Sequence, residues 1–73
     1  MKKLSEIRNN EVCKIVWMMG SLGEQLKSGS GIEEEKHLRM VQNRRRGGVI
    51  VSCDGKSYAI SDDVASQIRV AAI

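Results

Sequence analysis

The sequence predicts a mainly β domain: a small five-stranded barrel with a short inserted α-helix. Three observations lead there. An Asp54-Gly55 pair sits between two apolar runs, which is the signature of a tight β-hairpin. Short β-branched segments recur with polar and apolar residues in alternation. Glycine, at seven positions against no proline, is left to make the turns.

With 73 residues the chain has room for one domain, residues 1–73. A chain of this length buries only about 60% of the surface its unfolded form exposes, so the core must be compact. Hydrophobic residues make up 41%, enough for a globular interior, but there is one Trp, one Tyr and no Phe, so that interior must be aliphatic. The net charge of +3 is a mild excess that suits anionic partners without indicating nucleic acid.

The first strand is expected over Glu11–Met19, with Cys13, Ile15, Trp17 and Met19 on one face and Val12, Lys14, Val16 and Met18 on the other. Ser21-Leu22-Gly23-Glu24 matches a capping box and opens a helix of roughly two turns, in which Leu22 and Leu26 share a face. An acidic turn, Glu33-Glu34-Glu35, leads into a half-buried strand whose Leu38 and Met40 point inward and whose His37 and Arg39 point outward. Asn43 to Gly48 is a polar loop tip. In the hairpin, pairing Cys53 with Lys56 sets Val51 opposite Tyr58 and Val49 opposite Ile60, whereas a one-residue slip would scatter these side chains over both faces. Ser61-Asp62-Asp63 begins one further helical turn, and Ile68, Val70 and Ala72 alternate in a closing strand. Five short strands around so small a core favour closure, because closure removes exposed edges. An SH3-like barrel is the expected arrangement, with an open α+β sheet as the alternative.

Little in the chain suggests catalysis. It has a single His, and no nucleophile elbow, phosphate loop or dinucleotide fingerprint. Gly20-Ser21-Leu22-Gly23 precedes a helix but lacks the Gly-Lys-Ser/Thr that completes a phosphate loop, so it reads as an ordinary turn. Glu33, Glu35 and His37 offer at most a loose, low-affinity site for a divalent ion such as Fe(II), and no resident cofactor is expected. Cys13 and Cys53 stand alone in apolar runs and read as small buried hydrophobes. Met1-Lys2-Lys3 is followed by no apolar segment of signal-peptide or membrane-spanning length, so the chain reads as cytoplasmic.

Contact with a partner is the remaining role. Arg44, Arg45 and Arg46 form a basic tip that suits an acidic protein surface, the anionic inner leaflet or the phosphates of nucleic acid; equally, they could be a solvated turn. No stacking aromatic lies in this loop, which argues against single-stranded nucleic acid. Leu22 and Leu26, with Trp17, Met18 and Met19 nearby in sequence, either present an apolar docking face or plug the barrel mouth.

Leu4-Ser5-Glu6-Ile7, then Leu26 through Gly31-Ile32, then Gly55 through Tyr58-Ala59-Ile60 followed by Ala65, Ile68 and Val70, together resemble the FeoA family of bacterial ferrous iron uptake proteins. The likeness spans Leu4 to Val70. Two segments depart from it: Glu33-Glu34-Glu35 stands where the family usually has Pro-Gly, and Arg44-Arg45-Arg46 is more charged than usual. The same barrel resembles the C-terminal domain of DtxR-type metal-dependent repressors. The FeoA resemblance implies an SH3-like barrel with no catalysis of its own, held at the membrane periphery by a GTP-hydrolysing ferrous iron transporter, FeoB. A small nucleic-acid-binding barrel and a metal-sensing module are the alternatives.

Overall fold

The computed structural model runs from Met1 to Ile73 and describes every residue except 23, 24, 27, 28 and 30. The described residues form one antiparallel sheet of six strands: β1 (Lys2–Lys3), β2 (Val12–Met18), β3 (His37–Asn43), β4 (Val49–Cys53), β5 (Lys56–Ile60) and β6 (Ile68–Ala72). Their order across the sheet is β1-β6-β2-β3-β4-β5. All five expected strands are present. The sixth, β1, is a pair of exposed lysines with no alternation to reveal it; it pairs with β6 through Lys2–Val70 and Lys3–Arg69.

The hairpin adopts the expected register, with Val49 opposite Ile60, Val51 opposite Tyr58 and Cys53 opposite Lys56. Asp54 and Gly55 both take positive φ (51° and 81°), as a type I′ turn requires. The closing helix, α1, spans Asp62–Ala65, and the Ser61 hydroxyl accepts a hydrogen bond from the Val64 N–H at 3.3 Å, as its sequence predicts. Leu22, Gln25, Leu26 and Gly29 are helical, and the Gln25 N–H donates to the Ser21 carbonyl at 3.2 Å. The expected capping partner, Glu24, lies outside the described residues.

The described interior is apolar throughout and holds no aromatic ring. Inward residues of the strands meet in matched pairs: Cys13 with Leu38, Ile15 with Val70, Met18 with Ile68, and Met40 with Val51. Leu4, Ile7, Ile32 and Ala65, from outside the strands, complete the buried cluster. Gly48 allows a close approach between segments. It has φ of 90°, and a Cβ there would stand 2.6 Å from the Ile60 carbonyl oxygen.

One expectation fails in β2. Simple alternation places Trp17 and Met19 inside with Cys13 and Ile15, yet Trp17 is 47% exposed, Met19 is exposed, and Met18 is only 8% exposed. The cause is a β-bulge between Ile15 and Trp17, where the register against β6 shifts by one residue. An extra residue on one strand reverses the inside-outside order beyond it. A second bulge lies between Met40 and Gln42; Val41 faces outward as alternation from Met40 requires, and beyond the shift Gln42 is exposed as well, while Asn43 is half-buried. In β6, Ile68 and Val70 are buried as expected, whereas Ala72, near the end of the strand, is exposed.

The bulge makes a direct stability test possible. Met18→Ala should cost about 3 kcal/mol, the usual range for truncating a buried methionine. Trp17→Ala should cost about 0.5 kcal/mol or less, as for an exposed site. Urea denaturation of both variants reads the difference; uninterrupted alternation would reverse the order.

Candidate functional site

Arg44, Arg45 and Arg46 are all exposed, and a 3-10 turn over Arg45–Gly47 carries the last two. Asn43, at the end of β3, sets the shape of this turn. Its Oδ1 accepts from the Arg45 N–H at 2.8 Å, which holds Arg45 at a φ of 56°. Its Nδ2 donates to the carbonyls of Ser5 at 2.9 Å and Ile7 at 2.7 Å, and its own N–H donates to Asn9 Oδ1 at 2.7 Å. One partly buried amide thus fastens the N-terminal segment to the arginine turn. It brings Arg8, which the sequence did not single out, to a shallow polar groove shared with Ser5, Asn9, Asn43 and Arg45. Asn43 was legible only as a loop-forming residue, because its three partners are 34 to 38 positions away.

Leu22 lies in a different depression, with Met19, Ser21, Gln25, Val64 and Gln67. It is half-buried and packs on the core, as does Leu26. The two leucines therefore cover the barrel while leaving part of their surface open. The Leu22 depression and the Arg45 groove have no lining residue in common, so the two expected partner-contact groups form separate surfaces.

Glu33 is half-buried, whereas Glu35 and His37 are exposed. Glu35 pairs with Lys14 at 3.5 Å, and Lys14 stands opposite His37 across β2 and β3. Among the described residues no group of three or more His, Cys, Asp or Glu side chains gathers to hold a metal ion. Lys36 donates to Asp54 at 2.8 Å, and this hydrogen bond lowers the Asp54 carboxyl and raises the Lys36 ammonium relative to their ordinary values. Both groups are solvent-exposed, so the pair adds little stability.

Cys13 and Cys53 are free and buried. Burial pushes the Cys13 thiol up to about 11, with the charge of Glu11 adding to the effect. Burial likewise raises Cys53, beside Asp54. Thiols held protonated in this way are poor nucleophiles and metal ligands. Among the described residues no helix is long and apolar enough to cross a membrane.

Two outcomes follow from these contacts. Asn43→Ala should lower stability by about 2 kcal/mol, because two backbone carbonyls and an N–H lose their partner at once. Hydrogen exchange should then quicken at Arg45 ahead of the hairpin amides. Cys13, whose folded thiol value is raised, contributes stability that is full below the ordinary thiol range and lost as pH climbs toward about 11. Iodoacetamide at pH 8 should therefore leave it unmodified in the native protein and label it in urea, as mass spectrometry would show.

Neither a family model nor a curated protein sequence matches this chain. Solved structures do. A crystal structure of an iron uptake regulatory protein, FeoA, superposes with a TM-score of 0.85 at 22% identity, covering 99% of this chain and 96% of that one. A solution structure of FeoA from Chlorobium tepidum gives 0.79 at 18% identity over 97% of this chain and 70% of that one. A manganese-dependent transcriptional repressor in complex with manganese gives 0.88 at 18% identity, and this chain spans 36% of it. At these identities the likeness is one of fold. The chain has the FeoA-like SH3 fold, mainly β, with little helix.

Proposed function

We propose that this protein is a non-enzymatic cytoplasmic accessory of ferrous iron uptake that docks on the inner face of a GTP-hydrolysing, FeoB-like Fe(II) transporter. One observation carries the reading: the match to the FeoA crystal structure covers 99% of this chain and 96% of that one at a TM-score of 0.85. The described interior is packed with apolar side chains, which leaves the outer surfaces for function. Two such surfaces suit docking. The Leu22 depression offers apolar contact, and the arginine turn offers guanidinium groups for carboxylates. In this reading Fe(II) is the partner's cargo, and the accessory holds no resident metal.

A second reading has its own observation. The TM-score of 0.88 to the manganese-dependent repressor suits a metal-responsive regulatory module, of which this chain would be the counterpart of about a third. The arginine turn could also meet nucleic acid, the third reading.

Pull-down from solubilised membranes of the source cell distinguishes them. The tagged protein should retain a large membrane GTPase, and at a temperature where both proteins are fully folded Leu22→Ala, a half-buried leucine whose truncation lowers the thermal midpoint modestly, should weaken that retention. Retention of a DNA-binding repressor, or of ribosomes or DNA, with no membrane GTPase would overturn the proposal.

A further inference from the structure

None of the six strands contains an aspartate or a glutamate; every acidic residue among those described lies in a turn, a loop or a helix. The strands do carry cations, and the register shows where these stand. Inward pairs such as Cys13–Leu38 and Ile15–Val70 are buried, so the alternate pairs face outward. On that outer side Trp17 lies opposite Arg69, and Arg69 opposite Lys3. Lys14 lies between Ala71 and His37, and Arg39 lies opposite Val12. These residues form a continuous wall over β6, β2 and β3.

We propose that this wall is a contact surface for an acidic, partly apolar segment of a partner protein, anchored on Trp17 and oriented by Lys14, Arg39 and Arg69. The bulge in β2 turns the chain's single tryptophan out of the core and leaves it 47% exposed among these cations. Bulges commonly serve to re-aim a side chain, and tryptophan and arginine are the residues most enriched among those that dominate binding energy. Two of these cations already have contacts. Lys14 pairs with the exposed Glu35 at 3.5 Å, a surface pair of little strength that an incoming carboxylate can replace. Arg69 donates to the Ser66 carbonyl at 2.7 Å, while its other guanidinium N–H groups are left for a ligand. Glu11, just before β2, accepts from the Arg8 N–H at 2.7 Å.

A peptide fits this wall better than a nucleic acid does. Val12 (44% exposed) and Val41 (41% exposed) add aliphatic surface that matches apolar side chains. Single-stranded nucleic acid calls instead for several stacking aromatics, and this wall has one. The inference extends the docking role proposed above, adds a surface distinct from the arginine turn, and does not require the partner to be an iron transporter.

Trp17 is also the reporter for the test, since its emission is the only tryptophan signal in the chain. The probe is a synthetic peptide alternating glutamate with leucine, titrated in parallel with an oligothymidylate. The peptide should shift Trp17 emission to the blue with saturation, and added salt should weaken it. Combining Lys14→Glu with Arg39→Glu should weaken peptide binding roughly tenfold, while reversing Arg44, Arg45 and Arg46 together should leave it nearly unchanged. Should charge reversal lower the thermal midpoint, glutamine at positions 14 and 39 serves instead, with weakening in the same direction. Unshifted Trp17 emission, equal weakening by the arginine-turn variant, or tighter binding of the oligothymidylate would overturn the proposal. None of these readouts involves a transporter, so failure here and failure of the iron-uptake reading remain distinguishable.

Discussion

The sealing of an aliphatic interior by very short strands constrains everything else in this protein. Large aromatic rings fill space efficiently, yet here none is fully buried: Trp17 is exposed, and Tyr58, only half-buried, packs against the core from its edge. The volume is filled instead by branched and sulfur-containing side chains delivered from nearly every segment. Leu4 and Ile7 come from the N-terminal turn, Ile32 from the approach to β3, and Ala65 from α1. A barrel so built has little margin, because each inward position fills a place no neighbour can take. The two bulges belong to the same economy of space. They curve β2 and β3 around the core, and in doing so they reverse which residues face it.

Asn43 shows how a single polar side chain completes such a design. The N-terminal segment crosses the end of β3 outside any regular ladder, so its carbonyls need partners that the sheet does not supply. One amide satisfies two of them and shapes the arginine turn in the same stroke. The basic tip is consequently joined to a braced scaffold, and Arg8 becomes its neighbour through the fold alone.

FeoA proteins and manganese-dependent repressors share this barrel with the present chain, which illustrates how little a fold by itself says about activity. Function in such a domain resides in what the outside presents. Here the outside is partitioned: an apolar depression at Leu22, a guanidinium tip at Arg44 to Arg46, and a cationic wall with Trp17. Acidic groups are confined to the segments between the strands, so no opposite charge from within the sheet neutralises the wall.

Alternation and turn chemistry were enough to read the hairpin from sequence. Its register follows from matching Val49, Val51, Tyr58 and Ile60 across a turn that Asp54-Gly55 prescribes, and both determinants are local. The same locality made β3, β6 and the Ser61 cap legible, along with the absence of rings from the core. What the tertiary structure alone decided is non-local. The bulge at Val16 is selected by how β2 must curve against β6, and no residue in Glu11–Met19 announces it, so Trp17 does not share the face of Cys13 and Ile15 as alternation implies, and Met18 does. The two-residue β1 exists only because β6 offers it an edge, and Arg8 approaches Arg45 only because Asn43 reaches across more than 30 positions to the N-terminal segment. Side-chain period is a property of neighbours along the chain, whereas a register shift or a bridging amide is settled by partners that sequence order does not bring together.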